Sequence, residues 1–298
     1  MSVIQKTYTF KTVDGCAIRA DVYHAAGAEH APVLLWLHGG ALILGSRAML
    51  PEAHMQRYVQ AGFVVVAVDY RLAPETKLPD IMSDIQSAYA WLCSGADRLP
   101  VDPERIVILG HSAGGYLSLL SGHWLMPRPQ ALVSFYGYGD VAGEWYSQPD
   151  VFYCQLPRVP ASEAYGVIGS AVLTESPVVP RERFYLYCRQ NGLWPKAVVG
   201  YDPQLEPEAL EPYCPVRQVK PGYPPVLLIH GEADADVPVQ QSIAMAAACQ
   251  HQGVAHVLRV LPGLGHGFDL DAPGPQNPLV ARLFDEVLAF MRQHVGLT

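Results

Sequence analysis

The chain has 298 residues, 50% of them hydrophobic and 16% charged, with 28 acids against 20 lysines and arginines. That composition supports a sizeable core, in one large α/β domain or two small ones, and excludes a disordered chain. The formal net charge of −8 excludes the basic face with which a nucleic-acid binder meets phosphates.

The N-terminal residues lack a basic segment followed by an apolar one, so no signal peptide is expected. Thr7–Thr12 and Ile18–Tyr23 alternate around Asp14-Gly15, which predicts an antiparallel hairpin. Short continuous apolar runs then follow at Val33–Leu37, Val64–Val68, Ile106–Leu109, Ala131–Phe135, Val226–Ile229 and His256–Leu261. Runs of this kind predict strands buried on both faces of a parallel sheet. Met82, Ile85, Tyr89 and Leu92 share one helical face, and Leu279 to Met291 repeats at three and four residues. Strands alternating with helices predict a doubly wound α/β sheet. No apolar stretch is long enough to span a bilayer. The six scattered cysteines form no CxxC pair, which predicts reduced thiols and no metal site. A cytoplasmic location is the expectation.

Residues 140–222 break the rhythm. They hold 11 of the 26 prolines and 11 of the 29 aromatic residues. An unstructured loop of that length is improbable in a compact domain. The segment is expected to be a helical cap inserted into a core made of residues 1–139 and 223–298.

Gly110-His111-Ser112-Ala113-Gly114-Gly115 lies between a predicted strand and a helix over Ala113–Trp124. A sharp turn there lifts a serine Oγ clear of the sheet and places the next N–H at a helix N-terminus. Gly110 and Gly114 supply the small neighbours such a turn requires. His38-Gly39-Gly40-Ala41 follows the Val33–Leu37 run, where glycines allow backbone N–H groups to approach a substrate carbonyl. The Ala113 N–H and the His38-Gly39-Gly40-Ala41 turn are therefore the candidate arms of an oxyanion hole. A nucleophilic serine needs a base, and the base an orienting acid. His266 lies in the glycine-rich loop after the last strand, on the sheet edge that presents Ser112. Asp234 follows the Val226–His230 strand by a short loop and is the leading acid; Asp236, Glu232 and Asp140 are its rivals. His111, Trp145, Tyr146, Phe152 and Tyr153 are candidates for lining a substrate pocket, although the aromatics could equally pack the cap onto the core.

Together with Asp69-Tyr70-Arg71-Leu72-Ala73-Pro74-Glu75 and Leu78-Pro79-Asp80 with Asp84, these motifs make the chain resemble an α/β-hydrolase. The similarity is to the hormone-sensitive-lipase-like branch of esterases, over about residues 31–135 and 226–294. Ala41 stands where the family usually has a third glycine, and residues 140–222 differ from the family's cap. The resemblance implies that the Gly40, Ala41 and Ala113 amides are the oxyanion donors, that His38 orients the Gly39-Gly40 loop and that the turn beginning at Asp69 braces the site from below. It implies a cofactor-free serine hydrolase of carboxylic esters. The eleven prolines and eleven aromatics of residues 140–222 predict a rigid cap that restricts the site to small, short-acyl esters; no nucleic-acid or membrane partner is expected, and homodimer formation stays open. Amide, formamide or peptide cleavage by the same triad is the alternative, and a non-catalytic receptor on this fold is a third reading.

Overall fold

The computed structural model describes residues 2–95, 99–270 and 277–297. The N-terminal hairpin forms β1 (Val3–Val13) and β2 (Cys16–Ala25), longer than the alternating runs alone mark out. Then follow β3 (Ala31–Leu37), α1 (Glu52–Gln60), β4 (Val64–Val68), α2 (Leu78–Ser94), β5 (Val101–His111), α3 (Ala113–Trp124) and β6 (Ala131–Phe135). After β6 come α4 (Glu144–Ser147), α5 (Ala161–Tyr165), α6 (Val178–Asn191), α7 (Trp194–Val198), α8 (Pro207–Leu210) and α9 (Pro215–Gln218). The chain returns to the sheet with β7 (Val226–Gly231), α10 (Gln240–His251), β8 (His256–Leu261) and α11 (Pro278–His294).

The strands form one sheet in the order β1-β2-β4-β3-β5-β6-β7-β8. β1, β2 and β4 pair antiparallel, and every later pairing is parallel. Alternate residues of each central strand feed two cores. Val33, Leu35 and Leu37 face one core with α2, α3 and α10, whereas Leu34 and Trp36 face the other with α1 and α11. This two-sided burial is why the central strands read as continuous apolar runs. No helix among the described residues is long and apolar enough to cross a membrane.

Two buried arginines of α6 tie the β6–β7 excursion to the sheet. Arg181 donates to the Ile43 carbonyl (2.6 Å), to that of Ala73, and to both Glu75 carboxylate oxygens (2.8 and 2.7 Å). Arg189 donates to Asp150 (2.6 Å) and Asp236 (2.9 Å). Aromatic stacking joins α4 to α7 within the excursion, and the Trp194 indole ties it to the core by donating to the Ala41 carbonyl at 3.0 Å. Trp145 lies on Tyr146 with ring centroids 3.7 Å apart, and Tyr146 on Trp194 at 4.2 Å.

Candidate active site

Ser112 sits at the β5–α3 junction with φ 54° and ψ −117°, a strained conformation for a residue with a Cβ. The strain is held by close packing. A Cβ on Gly114 would lie 2.0 Å from the Leu37 carbonyl oxygen, and one on Gly110 would lie 2.1 Å from that of Gly114. The Ser112 N–H is bonded to the Phe135 carbonyl at 2.9 Å, which ties the turn to the end of β6.

His266 reaches this serine from the β8–α11 loop. Its Nε2 lies 3.0 Å from Ser112 Oγ and its Nδ1 lies 2.7 Å from Asp234 Oδ2. An ionised carboxylate accepts only, so Nδ1 carries the hydrogen and Nε2 is free to accept from the serine hydroxyl. Asp234 Oδ1 accepts from the Asp236 and Val237 amides, each at 2.9 Å. Behind it, buried His230 accepts from Ser242 at Nδ1 (2.7 Å) and directs Nε2–H to the Val237 carbonyl (2.9 Å), with Asp234 Oδ2 at 3.3 Å. Burial alone would raise the Asp234 pKa, but the hydrogen bonds from His230, His266 and the Val237 amide hold it well below the usual carboxylate range. Burial would likewise lower the His266 pKa, yet the Asp236, Asp234 and Asp269 carboxylates outweigh it and raise the imidazole above its ordinary value.

Of the rival acids, Asp236 lies in the same loop with Oδ2 3.6 Å from His266 Nε2, on the side opposite Asp234. Asp140 is engaged elsewhere, accepting from the Ala142 amide (2.9 Å), the Cys214 thiol (3.3 Å) and Arg217 (3.3 Å).

Gly39 abuts the serine: a Cβ there would lie 3.4 Å from Ser112 Cβ. Gly40 has φ +102°, and Ala41 and Leu42 have φ 53° and 63°. The turn is closed by the Ile43 and Leu44 amides on the Gly40 carbonyl, at 2.9 and 3.0 Å. The N–H groups of Gly40, Ala41 and Ala113 donate no hydrogen bond to the described residues. Buried His38 is neutral, its pKa lowered to about 4 by burial. Its Nδ1–H points at the Gly39 carbonyl (2.7 Å), its ring stacks on Tyr70 at 4.1 Å, and its carbonyl accepts from the Tyr70 hydroxyl at 2.8 Å. Asp69, next to Tyr70, accepts from the Arg47 amide (2.8 Å) and guanidinium.

A cavity of about 310 Å³ opens beside Ser112 and His266, bordered by Gly39, Gly40 and Ala41. Its apolar wall includes Leu44, Met49, Leu156, Val178, Leu186 and Leu270. Of the pocket aromatics expected from the sequence, Tyr153 lines it and His111 borders it. Trp145, Tyr146 and Phe152 do not. Trp145 and Tyr146 are consumed by the stack on Trp194, and Phe152 projects outward, 45% exposed.

A buried group of polar side chains surrounds His111 behind the Ser112 turn. Buried Asp269, three residues past His266, accepts from the Tyr136 hydroxyl at 2.8 Å and lies 3.1 Å from His111 Nε2. Tyr136 packs against the His266 ring at 4.6 Å. The Trp36 indole can only donate, and it meets His111 Nδ1 at 3.1 Å. His111 is therefore the Nε2–H tautomer and donates to Asp269. His54, His111 and Asp269 approach closely enough to ligate a metal, and neither ring nitrogen of His54 has a partner. His111, however, has both nitrogens committed and no lone pair to offer unless one of those bonds breaks. The proximity of Asp269 to His266 in the chain is the sequence signal that could have found it.

Comparison with known proteins gives a consistent result. A family model described as alpha/beta hydrolase fold matches residues 34–270. Esterase LipC of Mycobacterium tuberculosis is 29% identical over 86% of this chain and 59% of its own length. The non-reducing polyketide synthase ausA of Emericella nidulans is 28% identical over 99% of this chain, which is 14% of the synthase. The chain thus spans only a minor part of the synthases it matches. The carboxylesterase EstE1, cloned from a metagenomic library, superposes with a TM-score of 0.70 at 26% identity, covering 99% of this chain and 89% of that one. An alpha/beta hydrolase superfamily protein from Enterococcus faecalis gives a TM-score of 0.75 at 24% identity, over 97% and 99% of the two chains.

Proposed function

Since the chain belongs to the alpha/beta-hydrolase family, in its esterase-type, hormone-sensitive-lipase-like branch, we propose that it hydrolyses carboxylic esters through an acyl-enzyme on Ser112. The observation that carries this reading is the unbroken Ser112–His266–Asp234 hydrogen-bond chain facing a cavity with unpartnered backbone amides. His266 Nε2 takes the serine proton as Oγ attacks the ester carbonyl, and returns it to the leaving alkoxide. Asp234 keeps the proton-accepting nitrogen turned to the serine and stabilises the imidazolium. The Gly40, Ala41 and Ala113 amides receive the negative oxygen. Water then attacks the acyl-enzyme with His266 again as base.

The cavity volume supports small substrates, standing near the low end of the ~300–1,000 Å³ range of ligand pockets. On p-nitrophenyl acetate, butyrate, octanoate and palmitate, kcat/KM is expected to peak at acetyl or butyryl and to fall roughly tenfold or more by palmitoyl. A preference for octanoyl or longer chains would overturn the short-acyl assignment. Failure to turn over any of the four would overturn the esterase reading.

A pH profile follows from the same charges. Only neutral His266 accepts the serine proton, and three carboxylates favour its protonated form. The activity should therefore rise with pH through one ionisation whose midpoint lies above the ordinary imidazole value of ~6.5. Removing one of those charges, in Asp236→Asn, should move the midpoint down. A wild-type midpoint below the ordinary value, measured as kcat/KM against pH, contradicts this charge arrangement.

A further inference from the structure

Most of the polar side chains lining the cavity are already occupied. The Trp36 indole donates to His111, and the Tyr136 hydroxyl to Asp269. The Tyr153 and Tyr185 hydroxyls both donate to Asp236 Oδ1, at 2.7 and 2.5 Å, and Arg189 adds a third donor to that same oxygen at 2.9 Å. Asp236 is thereby clamped through Oδ1, and its Oδ2 accepts no hydrogen bond from the described residues. Glu182, exposed on α6 at the cavity edge, makes no side-chain hydrogen bond or ion pair with them either.

Apart from the Ser112–His266 pair, the uncommitted side-chain groups are thus two carboxylates, which accept and cannot donate when ionised. No lysine or arginine among the described residues lines the cavity. Arg189, buried between Asp150 and Asp236, brings one positive charge to two negative ones and leaves the cluster net negative. The location of Asp236 Oδ2 selects one side of the substrate. It lies 3.6 Å from His266 Nε2, the nitrogen that returns its proton to the leaving oxygen, and so it borders the alcohol half of the ester.

From this geometry we infer that Asp236 is a specificity-determining residue, selecting esters whose alcohol portion carries a protonated amine close to the ester oxygen. The inference rests on the ester-hydrolase reading above and adds the chemical class of the leaving alcohol. The ammonium N–H donates to Asp236 Oδ2 while the acyl group occupies the apolar wall. Glu182 adds a weaker, solvent-screened attraction. Esters with a carboxylate on the alcohol side meet like charge and are disfavoured.

The test uses two nearly isosteric esters, 2-(dimethylamino)ethyl butyrate, cationic at neutral pH, and 3-methylbutyl butyrate, with acid release followed by titration. Intrinsic reactivity differs between them but cancels when the ratio of their kcat/KM values is compared across variants. Asp236→Asn keeps an Oδ1 acceptor for Tyr153, Tyr185 and Arg189 while removing the charge. A charge-assisted hydrogen bond in a half-buried site predicts that this variant lowers the cationic-to-neutral ratio by about tenfold or more. Glu182→Gln, on the exposed helix surface, should lower it by only about two- to threefold. The inference is overturned if the ratio is the same in wild type and both variants while 3-methylbutyl butyrate is still hydrolysed. It is equally overturned if Asp236→Asn does not fold and Glu182→Gln leaves the ratio unmoved. Absence of wild-type turnover on either ester would instead remove the hydrolase reading itself.

Discussion

Asp234→Asn is expected to lower kcat by about 10⁴-fold with little change in KM. The wild-type carboxylate accepts the His266 Nδ1–H at 2.7 Å and is itself fixed by two amides. An asparagine can turn its NH₂ toward the ring, which favours the tautomer with hydrogen on Nε2. That nitrogen then faces Ser112 with a donor in place of a lone pair. Asp140→Asn should cost far less, because Asp140 bonds Ala142, Cys214 and Arg217 and does not border the cavity. Asp236→Asn should also cost far less on uncharged esters. Steady-state kinetics of the three variants on one neutral ester decides the matter: if Asp140→Asn is the crippling change, the acid lies after β6.

Ser112→Ala should abolish the covalent route and lower kcat by at least ~10³-fold, leaving only the rate supported by the amides and substrate binding. The fold should survive. The Ser112 hydroxyl has one hydrogen-bond partner among the described residues, His266 Nε2, and the turn is held by packing around Gly110 and Gly114 that alanine does not disturb. Thermal unfolding near that of the wild type, together with lost turnover, is the expected pair of results. Activity near wild type would remove Ser112 from the mechanism.

How much of this was legible in the sequence depends on whether contacts are local. β4, β6 and β8 match their runs residue for residue, but only β4 and β6 are buried on both faces as expected; β8 is the edge strand, with Arg259 and Val260 exposed because no further strand or helix among the described residues covers them. β5 begins earlier than its run, at Val101-Asp102-Pro103-Glu104, where polar residues hide a strand start that pairs with β3 only at Ala31. The Ser112 and Gly40 turns were readable because each motif is contiguous and its glycines answer to nearby backbone. The placement of Asp234 beside His266 follows its loop order, whereas Asp236 and Asp140 differ from it only in their tertiary partners.

The pocket wall was not legible. An aromatic residue looks the same in sequence whether it faces a substrate or another ring, and Trp145 and Tyr146 chose Trp194, a partner from a distant helix. Tyr185 and Arg189 escaped notice for the opposite reason. Their α6 helix carries no clear amphipathic pattern, because arginines and tyrosines are buried on it through ion pairs and hydrogen bonds. Asp269 was hidden in the same way, its role visible only once His111, oriented by Trp36, and Tyr136, just past β6, converge on it.

The most direct test of the central claim is covalent labelling with a fluorophosphonate, which phosphonylates a serine only where a base and an oxyanion site activate it. Intact-mass analysis should show one adduct per chain, peptide mapping should place it on Ser112, and Ser112→Ala should take up none. An adduct on another residue, equal labelling of Ser112→Ala, or no labelling of a preparation that hydrolyses esters would contradict the account.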